Sequence, residues 1–208
     1  LKLDQTADPD HPITLRVWDF GGQYFYQATH QFFYSGKSIF LLVWNPREPY
    51  ERSNLPSWLD RLRALAPTSK VLLVATHASD HTANIPFSQL KDQYPQIAGE
   101  AAYAIDSETG AGYQELQQAI LDQTLLLEHI GATIPGSWSE AAKAIQDTKA
   151  NHLSADEFLK LLKQAGVDDP DQLAQHWNYT GEITYFSKNP IYNPDQPELT
   201  DWVILRPD

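Results

Sequence analysis

The sequence contains no cysteine and no methionine, and only ten of its 208 residues are glycine. Without cysteine, disulfides and thiolate metal sites are excluded. The pattern Gly-x-x-x-x-Gly-Lys-Ser/Thr is also absent, so these residues include no lysine-bearing phosphate loop. No apolar run approaches the length of about 18 residues that a membrane-spanning helix needs, and we expect no membrane span. Because the chain starts at Leu1 and lacks methionine, we expect a trimmed piece of a longer, cytoplasmic protein.

Acidic residues outnumber basic residues, which gives a formal net charge of −12. The excess is shared along the chain: residues 1–133 carry 9 basic and 15 acidic groups, and residues 134–208 carry 6 and 12. Both parts would repel a phosphate backbone, so we expect no nucleic-acid partner. With 42% apolar and 12% aromatic residues, the chain has enough apolar side chains to fill the core of one or two domains.

Strand and helix patterns alternate in residues 1–133, which predicts an α/β domain with a mostly parallel sheet flanked by helices. The predicted strands are 1–3, 13–18, 38–44, 71–75 and 101–105. The predicted helices are 25–34, 56–65, 87–94 and 113–130. The runs 38–44 and 71–75 are continuously apolar, which is typical of buried strands.

Residues 134–208 follow a different order: three short helices and then two strands, 182–186 and 202–205, which form a predicted two-stranded wing. We expect Ser137 to cap the first helix. Ser154 and Glu157 form a predicted capping box for the second, and Pro170 opens the third. This order predicts a small α+β, winged-helix-like subdomain, with the domain boundary near residue 133.

The first motif that can carry chemistry is Trp18-Asp19-Phe20-Gly21-Gly22-Gln23, directly after a predicted strand. An aspartate at a strand end can hold Mg²⁺ through a water, and glycines let a backbone N–H approach a terminal phosphate. Gln23 can orient an attacking water. A strand that simply ends in a Gly-Gly turn is the alternative, but residue order and context favour a nucleotide switch.

A second motif follows the strand 71–75, where Thr76 and His77 begin a polar loop. In guanine-nucleotide switches this loop holds the base, and an aspartate at its fourth position accepts two hydrogen bonds from guanine. Ser79 stands at that position here, and Asp80 comes one residue later. Either Asp80 moves in by a local change of the loop, or base recognition is relaxed. His77, Asp80 and His81 could also suggest a zinc site, but a solvated loop is the better interpretation, because local spacing supplies no third histidine or cysteine.

The third motif, residues 105–112, is a glycine-rich turn between a strand and a helix. In a switch, the backbone N–H near Ser107 would face the carbonyl of the base. Taken alone, the segment is an ordinary turn, and its position after the other two loops is what favours the switch interpretation.

Together, these motifs, with the stretch Ala28-Thr29-His30-Gln31-Phe32-Phe33 and the second-domain opening Ile134-Pro135-Gly136-Ser137-Trp138, resemble the Roc–COR tandem of Roco proteins. In that family a Ras-like GTPase domain, Roc, is followed by a C-terminal-of-Roc domain, COR. The resemblance covers essentially the whole chain, with Roc at 1–133 and the winged-helix-like first part of COR at 134–208.

The resemblance implies binding and slow hydrolysis of GTP by the intact protein, with GDP as product and Mg²⁺ as cofactor. It implies that Asp19 and Gly22 contact the Mg²⁺ shell and the γ-phosphate, that Gln23 is catalytic, and that a second group of residues lines the base. That group is Thr76, His77, Ser107 and, through the change of loop described above, Asp80. Homodimerisation through COR and flanking leucine-rich repeats or an effector domain are also implied. Tyr24 and Ser79 depart from the usual pattern, and no kinase motif is present.

Two alternative functions belong to other classes of protein. One is a scaffold that binds partners without nucleotide and whose switch has decayed, which Ser79 motivates. The other is a winged helix that binds nucleic acid, but its recognition helix, 171–179, contains neither lysine nor arginine. Of these two, the sequence favours the scaffold as the alternative function.

Overall fold

The computed structural model describes residues 13, 15–20, 37–185 and 202–205. The predictions for residues 1–3 and 25–34 and for Gly22 and Gln23 lie outside these ranges. The chain divides into two compact units, one of which comprises the described residues between 22 and 132. The other comprises the described residues from 133 onward together with those up to position 20. Each unit is described by itself.

A three-stranded parallel sheet forms the centre of the 22–132 unit. Its strands are β1 (Ile39–Trp44), β2 (Lys70–Ala75) and β3 (Tyr103–Ala104), in the order β1-β2-β3. The register pairs Ile39 with Lys70 and Val74 with Tyr103. Parallel neighbours joined by helical crossovers are the defining feature of α/β folds, so the predicted fold class is confirmed.

Three helices accompany this sheet: α1 (Leu55–Leu65), α2 (Phe87–Gln93) and α3 (Tyr113–Leu125). On one face, β1 and β2 pack with α1 and α2 around Leu59, Leu73 and Tyr94. On the other face, α3 packs through Leu116 and Ala119 against Leu72 and Val74. Alternate β2 residues therefore enter different cores, which explains why this strand is apolar throughout.

Two sequence predictions for this unit were wrong in detail. The run 38–44 was expected to be buried throughout, but Leu41 and Val43 on one face of β1 are 41% and 55% exposed. The helix expected at 113–130 ends at Leu125. From there the hydrogen bonds span three residues, as from Leu126 N to Gln123 O and from Leu127 N to Thr124 O, and this tighter pattern ends the α-helix.

The other unit contains three helices and an antiparallel sheet. The helices are α4 (Gly136–Asp147), α5 (Ala155–Gln164) and α6 (Pro170–Tyr179). The strands are β4 (His152–Ser154), β5 (Thr184–Tyr185) and β6 (Trp202–Ile204), in the order β4-β6-β5. The wing was expected to have two strands, but His152, Leu153 and Ser154 also pair with β6. Three residues are too short a run to give a strand signal in the sequence.

The helix caps of this unit follow local sequence closely. Ser154 and Glu157 form the predicted capping box, and Asp169 accepts a hydrogen bond from Gln172 N ahead of Pro170. Ser137 is different: α4 begins one residue earlier, at Gly136, with Pro135 as its N-cap and no side-chain cap bond. The prediction that Ser137 caps this helix was therefore wrong, because the residue already lies inside the first turn.

The predicted strand 13–18 is not observed among its described residues, none of which lies in a strand. Its alternating pattern suggested a half-buried face, but Val17 is 69% exposed. The indole of Trp18 instead lies close to Gly181, where an added Cβ would stand 3.1 Å from Trp18 Nε1. In the part of the chain that the structure describes, no helix is long and apolar enough to cross a membrane.

Candidate functional site

The three loops that follow β1, β2 and β3 leave the same edge of the parallel sheet. In open α/β sheets, ligands bind in the crevice outside the carboxyl ends of the strands. The loop after β2 begins at Thr76, and the loop after β3 begins at Ile105. This edge is therefore the place where the base-side residues predicted from sequence meet.

The loop after β2 is held to the neighbouring strand by its first residue. Thr76 donates from its backbone N (3.0 Å) and from Oγ1 (3.2 Å) to the carbonyl oxygen of Trp44. His77 then adopts a left-handed conformation with φ of 55°, and its carbonyl accepts from Asp80 N and His81 N at 3.1 and 3.0 Å. A non-glycine residue at positive φ is uncommon, and here it closes a tight turn at the candidate site.

The loop after β3 is organised by the carboxylate of Asp106, which is only 4% exposed. Its Oδ1 accepts from Glu108 N (3.0 Å), Thr109 N (2.9 Å) and Thr109 Oγ1 (3.1 Å). The backbone of Asp106 also closes the turn, because its N donates to Ala111 O at 3.0 Å. One buried acid therefore satisfies three donors of its own loop.

The same carboxylate connects the two loops. Ser79 Oγ donates to Asp106 Oδ2, and Ser79 N lies 3.4 Å from that oxygen. Beside this contact, Ala78 N donates to Ile105 O at 3.1 Å. The hydrogen bond from Ser79, followed by those from Thr109, holds the pKa of Asp106 far below its usual range, so the carboxylate is ionised at neutral pH.

Close backbone approach fixes where helix α3 begins. Gly112 has a φ of +78°, and a Cβ added to it would lie 2.0 Å from Ala104 O. Only glycine fits at this junction. Ser107, three residues after the end of β3, is exposed, and Tyr113 Oη lies 3.4 Å from its Oγ.

Asp80 lies at the outer side of the loop after β2 and pairs with Arg47 from the loop after β1. The guanidinium Nη2 and carboxylate Oδ2 are 2.5 Å apart, and the two side chains are 44% and 55% exposed. Asn45 Oδ1 accepts from Arg47 N at 3.0 Å and so orders the same loop. In this structure the Asp80 carboxylate points toward Arg47. An exposed ion pair of this kind contributes little to stability.

The sequence-predicted residues therefore fall into three groups. Thr76, His77 and Asp80 lie on one loop, and Ser107 lies on the adjacent loop, which the Ser79–Asp106 contact holds against it. Asp19 is exposed and belongs to the other compact unit. Gly22 and Gln23 lie outside the described residues.

Sequence reasoning missed Asp106. Its position directly before Ser107 in a glycine-rich turn was visible, but a buried acid cannot be distinguished from a surface acid by residue type alone. Only its five donors and its burial reveal its role.

The metal ligand predicted from the sequence is a carboxylate, that of Asp19. Among the described residues, no group of three or more His, Asp or Glu side chains is arranged to hold a metal ion. The exposed carboxylate of Asp19 is a hard oxygen donor of the type that Mg²⁺ accepts through water, and in this respect it fits the ion.

A family model and two curated proteins are similar in sequence to this chain. The family model for "Ras of Complex, Roc, domain of DAPkinase" matches residues 2–79. The probable serine/threonine-protein kinase roco5 of Dictyostelium discoideum is 39% identical over 197 residues, which is 87% of this chain and 7% of that protein. The probable serine/threonine-protein kinase pats1 of the same organism is 26% identical over 223 residues, or 99% of this chain and 7% of that protein.

A solved structure is similar over the full length of the chain. It is Roco2 RocCORdC of Methanosarcina barkeri bound to GDP, with a TM-score of 0.81 and 25% sequence identity. The similarity covers 100% of this chain and 61% of that one. The chain thus spans about 7% of the length of the two curated relatives and less than two thirds of the solved relative.

Proposed function

This chain belongs to the Roco family, as a fragment that contains Roc-domain sequence, and on that premise we propose that it provides the base-binding side of a GTPase switch. In the whole protein, the switch binds GTP, hydrolyses it slowly to GDP, and passes the nucleotide state to a COR domain. We assign residues 1–133 to Roc and 134–208 to the winged-helix-like first part of COR.

The proposal rests on one observation: the loops after β2 and β3, at the carboxyl edge of the parallel sheet, are joined by hydrogen bonds. The loop after β2 is bound to Trp44 O through Thr76, and to the loop after β3 through Ser79 and Asp106. Because these loops are already ordered, they lose less conformational entropy when a base binds. In the proposal, Thr76, His77 and Ser107 line the base, and Asp80 lines the outer rim.

The phosphate side of the proposal rests on the sequence motif. Asp19 would hold Mg²⁺ through a water, Gly22 would present its backbone N–H to the γ-phosphate, and Gln23 would orient the attacking water. Bound Mg²⁺ would supply charge neutralisation at the β- and γ-phosphates. The 208 residues contain no phosphate-loop lysine, so this part of the charge neutralisation must come from another segment of the whole protein.

The wider setting is also part of the proposal. We propose a cytoplasmic protein that forms homodimers through COR and carries flanking leucine-rich repeats or an effector domain. The acidic surface, with a net charge of −12, disfavours nucleic acid as a partner.

The test is nucleotide binding by the full-length protein, measured with fluorescent GDP and GTP against ADP and ATP in the presence of Mg²⁺. We expect selective binding of guanine nucleotides. The isolated 208-residue chain, measured in parallel, is expected to bind far more weakly, because it lacks the phosphate loop. Submicromolar affinity of the isolated chain would contradict this account of the phosphate side.

The alternative is a scaffold that binds partners independently of nucleotide. Ser79 favours it, because a serine alone cannot offer the paired acceptors of a carboxylate. Failure of the full-length protein to bind any of the four nucleotides would support this alternative and remove the GTPase proposal.

A further inference from the structure

The base-specifying position of the loop after β2 contains a serine, yet a carboxylate lies directly beneath it. Ser79 is exposed at the surface of the loop, and its hydroxyl donates to Oδ2 of the buried Asp106. The negative charge absent from position 79 is thus supplied by the neighbouring loop. We propose that Ser79 and Asp106 together form the acceptor pair that recognises the edge of a guanine base, with Asp106 as the specificity-determining carboxylate.

The inference rests on the proposed function and adds to it the group that selects the base. Guanine presents two neighbouring donors, the N1–H and the exocyclic amine at C2. A single carboxylate accepts both. Here the two acceptor oxygens come from different side chains, Ser79 Oγ and Asp106 Oδ2, which are already neighbours because they share a hydrogen bond.

The Ser79–Asp106 pair has lone pairs that can accept hydrogen bonds from a ligand. The hydroxyl proton of Ser79 is donated to Asp106, which leaves the lone pairs of Oγ available to the exocyclic amine. Oδ1 of Asp106 is occupied by Glu108 N and by Thr109 N and Oγ1. Oδ2 accepts the Ser79 hydroxyl and otherwise only the long 3.4 Å contact from Ser79 N, so it can accept the N1–H.

Access requires a single local change. Asp106 is 4% exposed, and its Oδ2 accepts the hydroxyl proton of the exposed Ser79. A small shift of the Ser79 side chain that keeps this hydrogen bond would open Oδ2 to the N1–H of a base, while Oδ1 stays bound to its own loop. Because Thr109 and Glu108 hold the carboxylate in place, the acceptor is oriented before the base arrives.

Asp80, the carboxylate suggested by sequence order, is directed elsewhere. Its Oδ2 is bound to Arg47 at the outer side of the loop, and both side chains are about half exposed. The low pKa of Asp106, caused first by the Ser79 hydrogen bond, keeps the buried carboxylate in the accepting form.

The test uses the chemistry of the C2 substituent of the base. Guanine carries an amine there, hypoxanthine carries hydrogen, and xanthine carries a carbonyl. Isothermal titration calorimetry of GDP, IDP and XDP would be performed on the full-length protein and on Asp106→Asn, with Glu115→Gln as the matched control. Both substitutions replace an acid by its amide and remove one negative charge, and Glu115 is exposed in the first turn of α3, directly after the same loop.

For Asp106→Asn we expect a loss of about tenfold or more in GDP affinity and a gain in XDP affinity, because the new amide donates to the C2 carbonyl of xanthine. Glu115→Gln should leave the order of the three nucleotides unchanged. Ser79→Ala should reduce the preference for GDP over IDP, since the acceptor for the amine is lost. An equal loss of all three nucleotides in Asp106→Asn, or the same change of preference in Glu115→Gln, would overturn the inference.

A reciprocal variant guards against misfolding of Asp106→Asn. Ser79→Asp combined with Asp106→Ser exchanges the two side chains and keeps one carboxylate and one hydroxyl in contact. We expect it to retain preference for GDP over IDP and XDP, and a folded exchange variant without that preference would count against the acceptor pair. If the wild-type protein binds none of the nucleotides, the proposed function itself fails; if wild type prefers GDP and Asp106→Asn does too, only this inference fails.

Discussion

The hydroxyl of Tyr185 donates a 2.7 Å hydrogen bond to Oδ1 of Asp171, which joins strand β5 to the first turn of helix α6. The backbone N of Tyr185 also donates to Asn178 Oδ1 near the other end of that helix, at 2.9 Å. The ring is 6% exposed and packs 6.3 Å from the centroid of Phe158. Tyr185 thus connects the sheet of this unit to both ends of α6.

Replacement of Tyr185 by phenylalanine should lower the free energy of unfolding by about 1 to 3 kcal/mol, because the ring still packs but Asp171 loses its donor. Urea denaturation followed by circular dichroism would measure the change. Asp171→Asn is the control, since its amide oxygen can still accept the phenol proton, and it should cost less. An unchanged midpoint for Tyr185→Phe would show that the hydrogen bond contributes nothing.

The same tyrosine should affect stability at alkaline pH. Burial, followed by the hydrogen bond to Asp171, raises the pKa of the Tyr185 phenol above that of an unfolded tyrosine. A raised folded pKa stabilises the protein below the unfolded pKa of about 10, and the contribution is lost as pH rises toward the folded pKa. The stability difference between wild type and Tyr185→Phe should therefore shrink above about pH 10. A constant difference from pH 8 to 11 would contradict this.

Gly112→Ala should be far more damaging than Gly110→Ala. Both glycines have positive φ, +78° and +76°, so both substitutions carry the same backbone cost, of about 1 kcal/mol. Only at Gly112 would the new Cβ meet a carbonyl, Ala104 O, at 2.0 Å; nothing lies within 4 Å at Gly110. We expect Gly112→Ala to cost several times more in thermal denaturation. Equal losses would mean that the chain relaxes freely at the β3–α3 junction.

Ser154→Ala should lower stability by about 1 kcal/mol, through loss of the cap on Glu157 N. Ser139, exposed inside helix α4, provides the matched control, because Ser139→Ala removes a hydroxyl without removing a cap. A Ser154→Ala variant no less stable than Ser139→Ala would show that the capping box has no energetic role.

Acid should weaken the same capping box. Hydrogen bonds from Ser154 lower the pKa of Glu157 below its usual value, so its contribution is present above the unfolded pKa of about 4.3 and is lost as pH falls through the folded pKa. Denaturation curves of wild type and Glu157→Gln should therefore converge below about pH 4. A difference that stayed constant down to pH 3 would contradict the assignment.

If the proposed function is correct, Gln23→Leu in the full-length protein should slow GTP turnover with little loss of nucleotide affinity. The leucine cannot orient a water, while the contacts to the nucleotide remain nearly intact. Single-turnover hydrolysis and equilibrium binding would be measured on the same preparation. Unchanged turnover would show that Gln23 is not catalytic.

Sequence patterns predicted best where short-range physics dominates. The capping box at Ser154 and Glu157, the helix start at Pro170 and the buried strand β2 are all confirmed, because each depends on neighbours within a few residues. The predicted base-side residues Thr76, His77 and Ser107 do occupy adjacent loops, since parallel strands send their carboxyl ends to one edge. Their roles toward a ligand stay predictions.

Predictions failed where a distant partner decides the outcome. Strand β4 forms because His152–Ser154 pairs with β6, some fifty residues away, and such a short run has no pattern of its own. The face of β1 that carries Leu41 and Val43 is partly exposed although every residue of the strand is apolar. The exposure of a strand depends on what packs against it, and the sequence of the strand itself does not specify that partner.

The sequence by itself determined the α/β class, the order of the loops and the absence of a phosphate-loop lysine, because periodicity, turn residues and motif spacing are local properties. Only the tertiary structure decided which carboxylate lies against Ser79. Asp80 is next to Ser79 in the chain but turns toward Arg47, whereas Asp106, 27 residues away, lies under Ser79. Parallel strand pairing brings the two loops together. Asp106 can be buried there because hydrogen-bond donors of both loops satisfy its charge.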